Sequence, residues 1–471
     1  MTATYQQAGV VYDSVGYTYQ GFGAGDRPVV KVEIGWTAPA YEQAELDYNS
    51  DVSYGAQIAA LDPNPGWTDV TPYVSSLRVR RGNDNFLIRN VESGSLTVVF
   101  EDPDSRFLPN NTGSPYYPNV EPGRPIRVVA DWSDAETVIY RGQTTRWTQN
   151  FVRNTENTEV VLTCSDVLNL LQNYTVDQTT LGSNGQATDT RIGLLLDDTG
   201  PFGLRPPWPA ALRNIDTNTS ALVEQDAAGE KRVLDAIKLV TDSEWGLFFI
   251  DKEGRATFLG REAANPGAVA EITPDYYFGD ADSRVNNFVP SYDFAYGDYD
   301  DPELDYNDGS FDVTVAQARY DTIETESDDD TLTNVVEVTD AYGAVGGWKY
   351  DDNIAVYEER RLPVTTLLAD STAANTLGEF VLNNQYDPAL RAKRVGFYIQ
   401  TSTAATQAAV LAELKDTVAI RHNAPGGVTV DLTGVVIGME QEIRRDYWYT
   451  TFTFGAGSTQ ATTATVGSAL V

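Results

Sequence analysis

Frequent interruption of its regular segments limits this chain's fold more than any other feature. Apolar and polar residues alternate for a few positions, and then Pro, Gly, Asn or Asp stops the run. Ser93-Gly-Ser-Leu-Thr-Val-Val-Phe100, halted at Asp102-Pro-Asp-Ser105, is the clearest case. Runs of this kind predict short strands with one buried face. Tyr, with 26 copies, is the main aromatic and suits half-buried pleated surfaces. The expected fold class is mainly β and multi-domain, and 471 residues suggest about three domains.

The pattern divides the chain. Residues 1–26, polar and rich in Gly and Tyr, read as an N-terminal arm. Residues 27–172 read as a first β domain, with strands near Val29–Ile34, Val74–Val79, Ser93–Phe100, Pro125–Val129, Val138–Trp147 and Glu159–Thr163. Ser165 is expected to cap a short Leu-rich helix. Residues 173–275 read as an inserted α+β domain. Its clearest helix is Glu230–Ser243, with Val233, Ala236, Ile237 and Val240 on one face, followed by a hairpin turning at Asp251–Gly254. Arg191–Leu196 and Ser220–Val223 read as helical or mixed. Residues 276–330 form an acidic, loop-rich segment. Residues 331–456 read as a second β domain with helices starting at Ser371 and spanning 404–415, and 457–471 as a tail.

Charge and scarce residues exclude several functions. Lys+Arg number 33 against 68 Asp+Glu, a formal charge of −35, so phosphate and anionic lipid surfaces are repelled. Cys164 is the single cysteine and His422 the single histidine, which removes intrachain disulfides, Cys-rich metal sites and His-based zinc triads. No run is long and apolar enough for a membrane span, and the first residues carry no signal-peptide pattern. A catalytic triad would need His422, yet no Gly-x-Ser-x-Gly elbow accompanies it, and it reads as a turn-proximal surface residue. Cys164 reads as a buried small apolar side chain. Asp298, Asp300 and Asp305 lie in an Asp-rich run that could hold calcium, but the run lacks EF-hand spacing and a solvated loop is favoured. Paired carboxylates for glycoside hydrolysis carry no specificity among 68 acids. The expectation is a non-enzymatic assembly protein without cofactor; the alternative is an extracellular glycan-binding or glycan-cleaving β protein.

One internal echo stands out. Gly142-x4-Trp147-x-Gln149 repeats in spacing as Gly434-x4-Met439-x-Gln441, each preceded by an Ile-Arg pair (Ile126-Arg127; Ile420-Arg421) and followed by a basic residue (Arg153; Arg444). Two copies of one β unit would explain it.

The stretch Val91–Asp166 resembles a known family. Its pieces are Val91-Glu-Ser-Gly-Ser-Leu-Thr-Val-Val-Phe-Glu-Asp-Pro-Asp-Ser-Arg-Phe107, Ser114-Pro-Tyr-Tyr117, Pro122-Gly-Arg-Pro-Ile-Arg127, Tyr140-Arg-Gly142, Trp147 and Leu162-Thr-Cys-Ser-Asp166. In order and spacing they are similar to minor tail proteins of long-tailed (siphovirus-type) phages of actinobacteria. The acidic run 293–330 has no counterpart in that resemblance. The resemblance implies a baseplate or tail hub protein at the tail tip of a virion: two related tube-type β-barrels per chain and a homotrimeric ring that continues the tail tube. Implied partners are distal tail and tail tube proteins, the tape-measure protein and receptor-binding proteins. DNA would meet the ring only in transit through an acidic channel. Expected interface residues are Arg106, Phe107, Tyr116, Tyr117, Arg124 and Arg127.

Overall fold

The structure, a computed structural model, describes residues 28–36, 61–83, 92–133, 135–151, 158–177, 182–199, 207–217, 219, 221–226, 229–265, 274–279, 318–326, 333–349, 354–355, 357–383, 390–424 and 428–455. It is mainly β, and a single fourteen-stranded, largely antiparallel sheet dominates it.

The first half of that sheet comprises β1 (Val29–Ile34), β2 (Thr68–Asp69), β3 (Val74–Gly82), β4 (Ser95–Glu101), β5 (Pro125–Trp132), β6 (Ala135–Asn150) and β7 (Glu159–Ser165). Their order is β2-β1-β5-β6-β7-β4-β3. The alternation visible in the sequence is the pleat itself: Leu96, Val98 and Phe100 are fully buried, while Ser95, Thr97 and Val99 face the other side.

A smaller α+β region follows. It holds α1 (Leu168–Asn173), β8 (Thr175–Asp177), β9 (Gln186–Ala187), α2 (Thr188–Asp197), β10 (Arg213–Ile215), β11 (Leu222–Val223), β12 (Glu230–Arg232), α3 (Val233–Glu244), β13 (Leu247–Ile250), β14 (Ala256–Leu259) and α4 (Arg261–Ala264). The predicted helix–hairpin is present, with a correction at its start: Glu230–Arg232 pairs with β8, and the helix begins only at Val233. Leu222–Val223 is a strand against β9. Asp166 rather than Ser165 receives the first amide of α1, Leu168 N, at 2.9 Å.

The second half of the sheet is built from β15 (Tyr276–Gly279), β16 (Ala318–Arg319) and β17 (Thr322–Glu326) and, after an insertion, four later strands. The insertion packs β18 (Val335–Thr339), β19 (Val345–Lys349) and β20 (Arg361–Thr365) against α5 (Ser371–Asn383), capped by the Asp370 carboxylate at Thr372 N and Ala373 N. Then come β21 (Arg391–Tyr398), α6 (Thr403–Leu411), β22 (Thr417–Ala424), β23 (Val428–Arg444) and β24 (Trp448–Gly455). The segment 276–330, read as loop-rich, therefore supplies three strands.

Taken in chain order, the second block runs β16-β15-β22-β23-β24-β21-β17, the same path as β2-β1-β5-β6-β7-β4-β3. The registers coincide as well. Gly142 faces Ile126 and Gly434 faces Val418. A register shift falls between Thr144 and Arg146 on β6, and between Val436 and Gly438 on β23, two to four residues past each glycine. Trp147 then faces Leu162, and Met439 faces Phe452. The first strands differ: β1 runs antiparallel to β5, whereas β15 runs parallel to β22.

Closed barrels were expected, yet among the described residues no ladder closes either block. Each block nevertheless curls until its ends approach. β16 at one end leads into β17 at the other after Tyr320 and Asp321, and three Cα steps span at most about 11 Å. In the same way β2 leads into β3 through a single turn at Thr71–Tyr73. The blocks join where the C-terminal half of β23 pairs with β3, and one apolar core runs through both.

Candidate assembly surfaces

The six residues expected at an interface lie on or beside one loop, residues 102–124, between β4 and β5. Asp102, fully buried, shapes its start by accepting Arg106 N at 2.8 Å and Phe107 N at 2.9 Å. This turns Phe107 inward. Its ring, fully buried, stacks on Phe100 at 4.4 Å and lies 5.4 Å from Tyr116. Tyr116 in turn stacks on Trp36 at 4.6 Å. Arg106 lies over the Tyr73 ring, 4.2 Å from its centre, and pairs with Asp104. Arg124, 4% exposed, donates to Trp36 O, Asn119 Oδ1 and Glu121 Oε1. Arg127 pairs with Glu33 at 2.6 Å and covers Trp67 at 4.6 Å. Tyr117 differs from the rest in being 46% exposed. The structure thus gathers Arg106, Phe107, Tyr116 and Arg124 into the frame of the loop, sets Arg127 on β5 against Glu33 and Trp67, and leaves Tyr117 on the surface.

In the second block, α6 occupies the place that this loop holds in the first. It lies between β21 and β22, and its Ala405, Ala408 and Ala409 share the apolar core with Phe397 and Phe452. Ser402 caps it by accepting Ala405 N at 3.1 Å.

A buried polar seam lies where the two blocks meet the α+β region, and no local pattern of residues announces it. Glu413 pairs with Arg81 of β3 and also accepts Lys252 N at 3.0 Å from the β13–β14 turn. Lys252 Nζ donates to Leu411 O at the C-terminal end of α6, 2.5 Å away, where the helix dipole favours a cation. Burial lowers the Arg81 pKa to about 10, against the pull of Asp251, Glu253 and Asp166. Burial raises Asp416 to about 7, and the neighbouring Asp275 carboxylate adds to the rise. Burial likewise raises Asp166 to about 6, against hydrogen bonds from Ser93, Gly94 and Leu168. Such groups can lock three parts of a chain together.

Of the residues weighed for chemistry, His422 sits half-buried on β22 with Nδ1 2.6 Å from Tyr320 Oη. Cys164 is 1% exposed on β7, and burial raises its thiol pKa far above the ordinary value. Asp298, Asp300 and Asp305 lie outside the described residues. Among the described residues no group of three or more His, Cys, Asp and Glu could hold a metal ion, and no helix is long and apolar enough to cross a membrane.

No protein-family model matches the chain, and no curated protein matches it. Solved structures do. The tail protein from Neisseria meningitidis MC58 superposes with a TM-score of 0.50 at 12% identity, over 81% of this chain and 96% of that one. The 43 kDa tail protein of prophage MuSo2 from Shewanella oneidensis gives 0.48 at 10% identity, over 93% and 100%. The prophage tail protein gp18 from Listeria monocytogenes EGD-e gives 0.43 at 10% identity, over 83% and 91%. At these identities the likeness is one of fold, and the Neisseria match carries it. The chain has the fold of a tail protein.

Proposed function

We propose that this protein is a structural component of a phage tail tip, a hub without catalytic function. Three copies form a ring that continues the tail tube, and DNA passes through it during ejection. The observation that supports this best is the repeated seven-strand path with its repeated register. A chain holding two like units lets three copies offer six equivalent positions to a hexameric tube. Each block then serves as one tube-type β domain, and the α+β region and the β18–β20 insertion lie outside the ring. Neighbours would be the tube, distal tail, tape-measure and receptor-binding proteins, with Tyr117 available on the loop surface. Part of the −35 charge would face the channel and keep phosphate from adhering.

The test is mass in solution, by light scattering after size exclusion, at low and high salt. A mass of three chains, favoured by salt that screens repulsion between acidic subunits, supports the hub. Discrete assemblies of another stoichiometry would overturn the trimer, and an assembled ring whose channel lacks an acidic excess would remove the charge argument.

A further inference from the structure

The contact between the two blocks is itself a template for a contact between copies. The central run of the sheet is β6-β7-β4-β3-β23-β24-β21-β17. In terms of equivalent strands this is one quartet followed by the same quartet, joined where β3 pairs with β23. The joint has a defined register: Ser76 faces Arg444, Leu77 faces Ile443 and Arg78 faces Glu442.

Both halves of a second such joint are present at the two ends of the run, and among the described residues neither is occupied by a strand. The shared registers make Asn150 and Phe151 the counterparts of Glu442 and Ile443. Pairing of β17 with β21 makes Thr322, Ile323 and Glu324 the counterparts of Ser76, Leu77 and Arg78. Among the described residues no strand pairs with Arg146–Asn150 on the side away from β7, and β17 pairs with β21 alone. Exposure follows pairing: Ile443 is 6% exposed, while its counterpart Phe151 is 68% exposed. The charged side chains differ between the two places. At the internal joint Arg78 of β3 pairs with Glu440 of β23. At the open ends Glu324 and Glu326 of β17 both pair with Lys393 of β21, and Arg146 lies on β6.

We propose that β17 of one copy adds to the free edge of β6 in the next, antiparallel, with Ile323 opposite Phe151 and Glu324 opposite Asn150. The contact is head-to-tail, and the ring reading requires that its repetition close after a whole number of copies. Among the described residues a copy does not satisfy its own edges: β17 pairs with β21 alone, and Arg146–Asn150 pairs with β7 alone. This inference rests on the ring reading above and gives it a specific interface.

The test is a full-length Asn150→Cys/Glu324→Cys double variant under mild oxidation. Directly opposed residues of an antiparallel pair have Cβ atoms about 4.5–5.5 Å apart, close to disulfide range, and the native Cys164 is buried. The double variant is expected to give covalent multimers on a non-reducing gel, and each single variant none across this joint. Phe151→Asp, in a chain that keeps its unfolding temperature, is expected to weaken association by about tenfold or more. Multimers that form without the cross-link and tolerate Phe151→Asp would overturn this interface and leave the ring reading standing. A double variant that stays monomeric and uncross-linked at high protein concentration would overturn both.

Discussion

Gln149 and Gln441, seven residues beyond Gly142 and Gly434, do the same work in the two halves of the sheet. Gln149 Nε2 donates to Phe107 O at 3.1 Å, and Gln441 Nε2 donates to Ala409 O at 2.6 Å. Each carbonyl belongs to the segment that crosses from the fourth to the fifth strand of its block, although one segment is an irregular loop and the other contains a helix. The spaced Gly-x4-x-x-Gln pattern is therefore a structural requirement: the glycine lets the strand turn through its bulge, and the glutamine ties down whatever covers the core. Gln441 is 3% exposed, so Gln441→Ala leaves a buried carbonyl unpaired and should cost about 1–3 kcal/mol in urea unfolding. Gln149 is half-buried, and Gln149→Ala should cost less. With no shared partner, the two losses should add.

The glycines set a second test. A Cβ at Gly142 would stand 2.3 Å from Ser165 O, and one at Gly434 would stand 2.7 Å from the Phe454 ring. Both neighbours lie on the following strand, so either alanine forces the bulge open. Overpacking of this kind costs about 1–3 kcal/mol. Gly142→Ala should be the worse, because a ladder carbonyl has less room to move than a ring. Chemical denaturation of the two variants side by side would check the order.

The loop 102–124 separates packing from contact. Phe107→Ala removes a fully buried ring from the stack with Phe100, Tyr116 and Trp147, and should cost about 3–5 kcal/mol. Tyr117→Ala should leave the unfolding temperature nearly unchanged and act, if the tail-tip reading holds, on association alone. A large stability loss in Tyr117→Ala would contradict this division.

How far the sequence could be read follows from the range of each interaction. Alternation is local, and so Val29–Ile34 and Ser93–Phe100 are legible as strands, the second of them found at Ser95–Glu101. The echo around Gly142 and Gly434 pointed to a repeat because it marks a bulge, which is also local. The pairing of Arg81 with Glu413 joins residues 332 positions apart and leaves no local trace. Nor could residue type tell that Phe107 and Arg124 turn inward while Tyr117 turns out, since aromatic and Arg side chains serve cores and interfaces alike. Glu230–Arg232 continued a helical pattern and was claimed by β8 instead, a tertiary contact overriding propensity.

Glu413 should be the most sensitive polar residue in the seam. It answers the buried Arg81 guanidinium, the Lys252 amide and, at 2.8 Å, Leu414 N. Removing one partner of a buried pair leaves an uncompensated charge and costs about 3–5 kcal/mol. Glu413→Ala should fall in that range. Glu413→Gln, which keeps an acceptor but no charge, should lie between it and the wild type. Replacing both partners, Arg81→Met with Glu413→Leu, should recover part of the loss. A double variant no better than Glu413→Ala would show that the hydrogen bonds to Lys252 and Leu414, rather than the charge pair, hold the seam.

The same seam gives stability a dependence on pH with a definite sign. Asp416 titrates near 7 in the folded chain against 3.8 for the ordinary side chain, because it is buried and faces Asp275, with Lys252 and Arg81 opposing the rise. Between about pH 4 and 7 the folded state therefore holds a proton that the unfolded state has lost. Over that window Asp416 makes stability fall as pH rises, by at most about 1.4 kcal/mol per pH unit, and above it the contribution is flat. Asp166, raised to about 6 by burial, adds a fall of the same sign up to that pH. Asp416→Asn keeps an acceptor for Glu413 N, which the native carboxylate meets at 2.8 Å, and carries no charge at any pH. Its stability relative to wild type should therefore improve steadily from pH 5 to 7 and then level off. Urea titrations of both chains at intervals across that range would measure the difference, and a gap that did not change with pH would mean that Asp416 is already ionised in the folded seam.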